Sequence, residues 1–108
     1  GAARKVAALG EMLELGDASI RLHEACGRAA ASAGLGLLMT VGGQPARAMA
    51  AAAIAAGMAA PTVLYRETSA EGATDIAGAL RSGDLVLVKG SRGIRMDVLV
   101  DRLVAGHG

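Results

Sequence analysis

Three short stretches carry the residue types that chemistry needs. The first is Lys89-Gly90-Ser91-Arg92-Gly93, directly after the apolar run Leu85-Val86-Leu87-Val88. A glycine-bracketed loop offers free backbone N–H groups, and here it adds one hydroxyl and two cations. With a helix behind it, such a loop suits a carboxylate or a phosphate, because the positive end of the helix dipole adds to the same charge. The second stretch is Gly10-Glu11-Met12-Leu13-Glu14-Leu15-Gly16. Its Glu11 and Glu14 can accept from an ammonium or a hydroxyl, or serve as ordinary solvated loop acids. The third is His23, inside the helix that follows. A lone helical histidine is more often a hydrogen-bonded structural residue than a base.

Other chemistry is harder to find. No His/Cys cluster has metal-ligand spacing, and no nucleophile–base pair is legible. Neither the G-x-x-x-x-G-K-S/T loop nor a G-x-G-x-x-G after the first strand occurs, so the two standard phosphate cradles are excluded. Net charge is +1, scattered along the chain, with one Tyr and no Phe or Trp. That is the wrong balance for a nucleic-acid surface. The alanine run from Ala46 to Ala60 is too short for a membrane span and Arg47 interrupts it. No signal-peptide pattern is seen in the given residues, so none is expected, and the single cysteine, Cys26, fits a reducing cytoplasm. Cys26 reads as a small core hydrophobe, and Met12, Met49, Met58 and Met96 as packing residues.

The elements that must position these loops follow from periodicity and punctuation. With 108 residues the expectation is one domain spanning 1–108, burying roughly two-thirds of its unfolded surface. Strands are expected at Val6–Leu9, Leu37–Val41, Thr62–Tyr65 and Leu85–Val88. Between them lie helices. The first is capped by Asp17 or Ser19 and turns Leu22, Ala25, Cys26, Ala29, Ala30 and Ala33 inward. The second carries Pro45 in its first turn and Met49, Ala50, Ala53, Ile54 and Gly57 inward. The third opens with Thr68 and Glu71 as a capping box and runs through Leu80. The last begins directly after the Lys89–Gly93 loop, with Met96, Leu99, Val100 and Leu103 inward. Continuous apolar strands alternating with helices predict a parallel sheet covered on both faces. The preferred strand order is 3-2-1-4, which makes the acidic and basic loops neighbours where the chain reverses direction. A 2-1-3-4 order would separate them.

The two loops in this order resemble the C-terminal domain of the Mur ligases. Val6-Ala7-Ala8-Leu9-Gly10-Glu11-Met12-Leu13-Glu14-Leu15-Gly16 with His23 is similar to the strand, Gly-Asp-Met-x-Glu-Leu-Gly loop and helical histidine of that family. Asp84 to Arg92 followed by Met96 is similar to its Lys-Gly-Ser-Arg loop and helix, and Val41-Gly42-Gly43 is consistent with it. Glu11 stands where the family usually has Asp. The resemblance implies an α/β, Rossmann-like three-layer domain. The Asn-rich segment and helix that usually open it, a central ATPase domain and an N-terminal nucleotide-sugar domain are expected upstream of Gly1.

The resemblance also implies a function. A cytoplasmic ligase would use ATP and Mg, held mainly by the central domain, to turn the terminal carboxylate of UDP-MurNAc-tripeptide into an acyl phosphate. The amine of D-alanyl-D-alanine would attack it and expel phosphate, giving the pentapeptide precursor of peptidoglycan, ADP and phosphate. The C-terminal domain would swing in and exclude water, and alone it would not turn over. Ser91 and Arg92, with the N–H groups after Gly90, would hold the dipeptide carboxylate or lie near the ATP phosphates. Lys89 would add positive potential, and Glu11 and Glu14 would form the opposite lip. Met12, Met96 and His23 would support the site, His23 being open between holding the acidic loop and touching substrate. The rival readings are another Mur or folylpolyglutamate-type ligase, and a non-catalytic binding module.

Overall fold

Short Val/Leu/Ala strands alternate with alanine-rich helices thin enough to lie close against a sheet. The computed structural model describes residues 3–107, with side chains through residue 105. Strands β1 (Lys5–Gly10), β2 (Leu37–Val41), β3 (Val63–Arg66) and β4 (Leu85–Lys89) are all parallel, in the order β3-β2-β1-β4. Helices α1 (Ser19–Ser32), α2 (Gln44–Ala55), α3 (Ser69–Ala79) and α4 (Met96–His107) connect and follow them. The 3-2-1-4 order expected from the sequence is the one observed.

Alternation along each strand divides the core in two. Val6, Ala8, Met39 and Val41 meet Ala73 and Ile76 of α3 and Met96 and Leu99 of α4. Ala7 and Leu38 face the other way, onto Ala30 of α1 and Ala53 of α2. The α1–α2 crossing is tight because it uses glycine: a Cβ on Gly27 would stand 2.2 Å from the Met49 carbonyl oxygen. Pro45 sits in the first turn of α2, and Thr68 caps α3 by accepting from the Glu71 amide at 3.2 Å.

Several expectations are corrected. The buried face of α1 is His23, Gly27 and Ala30, while Leu22 is 40% exposed. The helix is rotated because its glycine, not its larger side chains, must meet α2. Neither Asp17 nor Ser19 caps α1; a 3-10 turn at Gly16–Ala18 runs straight into it, and the Ser19 amide donates to the Gly16 carbonyl. In α2, Ala46 joins Met49, Ala50 and Ala53 inside, Ile54 is exposed and Gly57 lies beyond the helix end. In α4, Val100 is exposed. The third strand is one residue later than expected.

The sheet is also not covered on both faces throughout. Val86 and Val88 pack toward α3 and α4, but Leu85 and Leu87 on the other side are 64% and 56% exposed. The α1–α2 layer stops short of β4. It leaves an apolar groove of about 560 Å³, lined by Leu9, Leu87, Cys26, Ala29 and Ala33 among others. Cys26 is accordingly half-buried at a groove wall rather than in the core.

At the amino ends of the strands Arg4 ties β1 to β4. Its guanidinium donates to both Asp84 oxygens, at 2.9 and 2.6 Å, and to the Ala79 carbonyl. These bonds, with the Arg81 amide, hold the Asp84 carboxyl at about 2, below its usual 3.8. A carboxyl depressed by folding stabilises the fold above its unfolded value and loses that contribution as pH falls through its folded one. Asp84→Asn is therefore expected to melt lower than the parent at pH 7. The gap should narrow below about pH 4 and close near pH 2; a constant gap across thermal melts at these pH values would contradict this.

Candidate functional site

Because β1 and β4 are neighbours, with Leu9 opposite Lys89, their following turns leave the sheet side by side. Glycine permits the approach. A Cβ on Gly90 would lie 2.9 Å from the Gly10 Cα and 2.8 Å from the Met96 Cγ, and one on Gly10 would lie 2.9 Å from the same Met96 atom. Met96, buried at the start of α4, is the wedge on which both turns rest.

Hydrogen bonds join the turns. The Leu13 amide donates to the Ser91 Oγ at 2.9 Å. The Ser91 amide donates to the Glu11 carbonyl at 3.4 Å, a long bond. Leu13 also lays its side chain over Gly93, where a Cβ would come within 2.5 Å of it. A third turn is recruited by Glu11, whose Oε1 accepts from the Gly43 amide at 2.8 Å, at the N-terminus of α2. The two loops singled out in the sequence thus form one structure, and Gly42-Gly43 belongs to it.

The basic turn departs from expectation in one respect. The helix does not follow at once: Arg92–Ile94 form a 3-10 turn, Arg95 is left-handed at φ 60°, and only then does α4 begin. The α4 dipole is therefore displaced from Ser91. What remains to attract an anion is the Ser91 hydroxyl, the amides of Arg92 and Gly93, which have no protein acceptor among the described residues, and the cations. Lys89 and Arg92 are exposed and form no ion pair among the described residues. Arg95 differs, since Asp97 takes two of its N–H groups, at 2.9 and 3.0 Å, and the Asp97 carboxyl is lowered in return.

On the acidic side, Glu14 is exposed and left-handed at φ 65°, followed by Gly16 at φ 61°. Single residues in this region carry backbone strain and gather where a loop is shaped for a task. Met12 and Leu13 are 37% and 38% exposed, so Met12 is a rim residue rather than core. His23 is fully buried beneath them, its Nε2 accepting from the Met12 amide at 2.9 Å.

The sequence singled out neither the amide roles of Leu13 and Gly43 nor the Arg47–Tyr65 pair that braces the Gly42 turn. The Arg47 guanidinium lies 5.1 Å from the Tyr65 ring centre, and the Tyr65 hydroxyl donates to the Gly42 carbonyl at 2.7 Å. Leu13 and Gly43 act through backbone amides, which leave no trace in side-chain type.

The acidic and basic turns are joined at the topological switch point of a parallel α/β domain, the edge at which open α/β sheets bind their ligands. The Mur ligase, glutamate ligase domain profile matches residues 1–92, and the chain belongs to the Mur ligase family as its C-terminal domain. Over 104 residues, 95% of this chain, it is 36% identical to the UDP-N-acetylmuramoyl-tripeptide–D-alanyl-D-alanine ligase of Mycobacterium leprae (strain TN), covering 20% of that protein. A crystal structure of MurF from Acinetobacter baumannii superposes with a TM-score of 0.78 at 28% identity, covering 97% of this chain and 23% of that one. The MurF ligase of Thermotoga maritima in complex with ADP gives 0.70 at 23% identity, covering 96% of this chain and 22% of that one; at that identity it speaks for the fold alone. The chain spans about a fifth of the length of the curated relative it matches. Among the described residues no helix is long and apolar enough to cross a membrane, and no group of three or more His, Cys, Asp or Glu could hold a metal ion.

Proposed function

We propose that this chain is the domain of a cytoplasmic ATP-dependent ligase that delivers D-alanyl-D-alanine to the activated carboxylate of UDP-MurNAc-tripeptide. The carrying observation is the joined pair of turns, in which the Ser91 turn also carries Lys89 and Arg92, without ion pairs among the described residues, in a chain 36% identical to a ligase named for that reaction. On the family resemblance, ATP and magnesium are held mainly by the central domain of the ligase.

Ser91 Oγ already accepts from Leu13, so its proton is available to one oxygen of the dipeptide carboxylate. Arg92 can take the carboxylate through its planar fork, and Lys89 adds attraction without fixed geometry. Glu14 and the Glu11 oxygen not held by Gly43 draw the amino end to the other lip. A zwitterion held at both ends presents its amine in one direction, which is the entropy saving that positioning supplies. Closure of the domain over the acyl phosphate excludes the water that would otherwise hydrolyse it.

The test is substrate choice by the full-length protein. With ATP and UDP-MurNAc-tripeptide, ADP release is expected with D-alanyl-D-alanine and not with single amino acids such as glutamate. Turnover with a single amino acid and none with the dipeptide would assign the domain to a sister ligase. Tight capture of a protein partner with no turnover would make it an interaction module.

A further inference from the structure

Beneath the site lies a fully buried side chain, His23, that is bonded to the loop that holds Ser91. Its Nδ1 lies 2.7 Å from the Ser19 carbonyl oxygen, which can only accept, and its Nε2 lies 2.9 Å from the Met12 amide, which can only donate. Both partners are satisfied by one state alone, the neutral imidazole with its proton on Nδ1. The next amide along, that of Leu13, donates to Ser91 Oγ at 2.9 Å. A buried ring anchored on α1 thus fixes Met12, Met12 fixes the direction of the Leu13 N–H, and that N–H fixes the hydroxyl at the mouth of the site.

We infer that His23 is a positioning residue for the Ser91 hydroxyl, acting through the consecutive amides of Met12 and Leu13 and never meeting the ligand. The inference rests on the reading that Ser91 binds the dipeptide carboxylate. Loop residues 11–15 are largely exposed and Glu14 is left-handed; Glu11 is held by Val41, Gly43 and Ser91, and the Met12–His23 bond is the next restraint along the loop before Leu13. A surface histidine could not serve this way, because water would compete for both ring nitrogens. Asparagine places its amide near the Nδ1 position and abandons Met12, whereas glutamine places an oxygen near the Nε2 position and keeps it.

The experiment is a double-mutant cycle in the full-length ligase, reading KM for D-alanyl-D-alanine and kcat separately. His23→Asn is expected to raise that KM roughly three- to tenfold, the worth of a neutral hydrogen bond, with kcat at saturating dipeptide little changed. His23→Gln should recover most of the loss. In a Ser91→Ala background both should be nearly silent, because the group they position is gone. Effects of His23 and Ser91 that simply multiply would overturn the inference and leave His23 a stabilising core residue. Where the asparagine variant is too unstable to assay, the glutamine variant carries the contrast: a full rise in KM despite the retained acceptor also overturns it. A Ser91→Ala change that leaves KM untouched is a different failure, that of the binding reading itself.

Discussion

Arg92→Ala in the full-length ligase is expected to raise KM for D-alanyl-D-alanine by roughly 10- to 100-fold, the range set by a charge-assisted hydrogen bond of about 1.5–3 kcal/mol. The Arg92 side chain is exposed and forms no ion pair among the described residues, so its loss removes no internal contact of that kind. A thermal melt should therefore stay within about 2 °C of the parent, as for surface substitutions generally. On the proposed reading the guanidinium takes the dipeptide carboxylate, so KM for ATP is expected to move little. Arg95 is the internal control. Its guanidinium is already taken by Asp97, so Arg95→Ala should cost far less dipeptide affinity than Arg92→Ala. Equal effects would mean that the whole turn, not one free cation, attracts the ligand.

The largest effect on stability is expected at Gly27. A Cβ there would stand 2.2 Å from the Met49 carbonyl and 3.1 Å from both the Ala52 Cβ and the Ala53 amide nitrogen. Two of these are backbone atoms and cannot rotate away, so α1 and α2 must separate. Overpacking of this kind costs about 1–3 kcal/mol and occasionally more, against about 1 kcal/mol that alanine returns in helix propensity. Since the clash is with backbone, the upper part of the range applies, and a fall in Tm of about 10 °C or more is expected for a domain of this size. Gly78, exposed in α3 with no atom within 4 Å of its would-be Cβ, should respond the other way. Gly78→Ala is expected to raise Tm by a few degrees, at about 1 kcal/mol or less. If both variants lowered Tm alike, close helix packing would not be the reason for glycine at 27.

How far the sequence reached is clearest from these same residues. The four strands, their order and the meeting of the two loops were legible because apolar runs, turn glycines and the switch-point rule act locally and along one direction. The rotation of α1 was not. Leu22, Ala25, Cys26 and Ala29 recur at helical spacing, but the helix is docked by the absence of a side chain at Gly27. Apolar periodicity counts what is present and overlooks a glycine contact. The exposed half of β4 was missed for a related reason: a continuous apolar run looks the same whether or not a helix layer covers it.

In the site, side-chain chemistry named Lys89, Ser91, Arg92, Glu11 and Glu14, and all lie at the carboxyl edge of the sheet. The bonds that assemble them were hidden because most run through backbone amides: Leu13 to Ser91, Gly43 to Glu11, Met12 to His23. The left-handed Arg95, which delays α4 until Met96, was equally invisible, since arginine carries no local signal for that conformation.

The central claim is that the turn after β4 grips the carboxylate of a small zwitterion. It is tested most directly by removing that charge from the ligand, comparing D-alanyl-D-alanine with its C-terminal carboxamide as substrates of the parent ligase and of its Arg92→Ala variant. The parent should prefer the free acid by roughly 10- to 100-fold in kcat/KM, and the preference should largely vanish in the variant. A parent ligase that uses acid and amide equally well, or a variant that still discriminates in full, would contradict it.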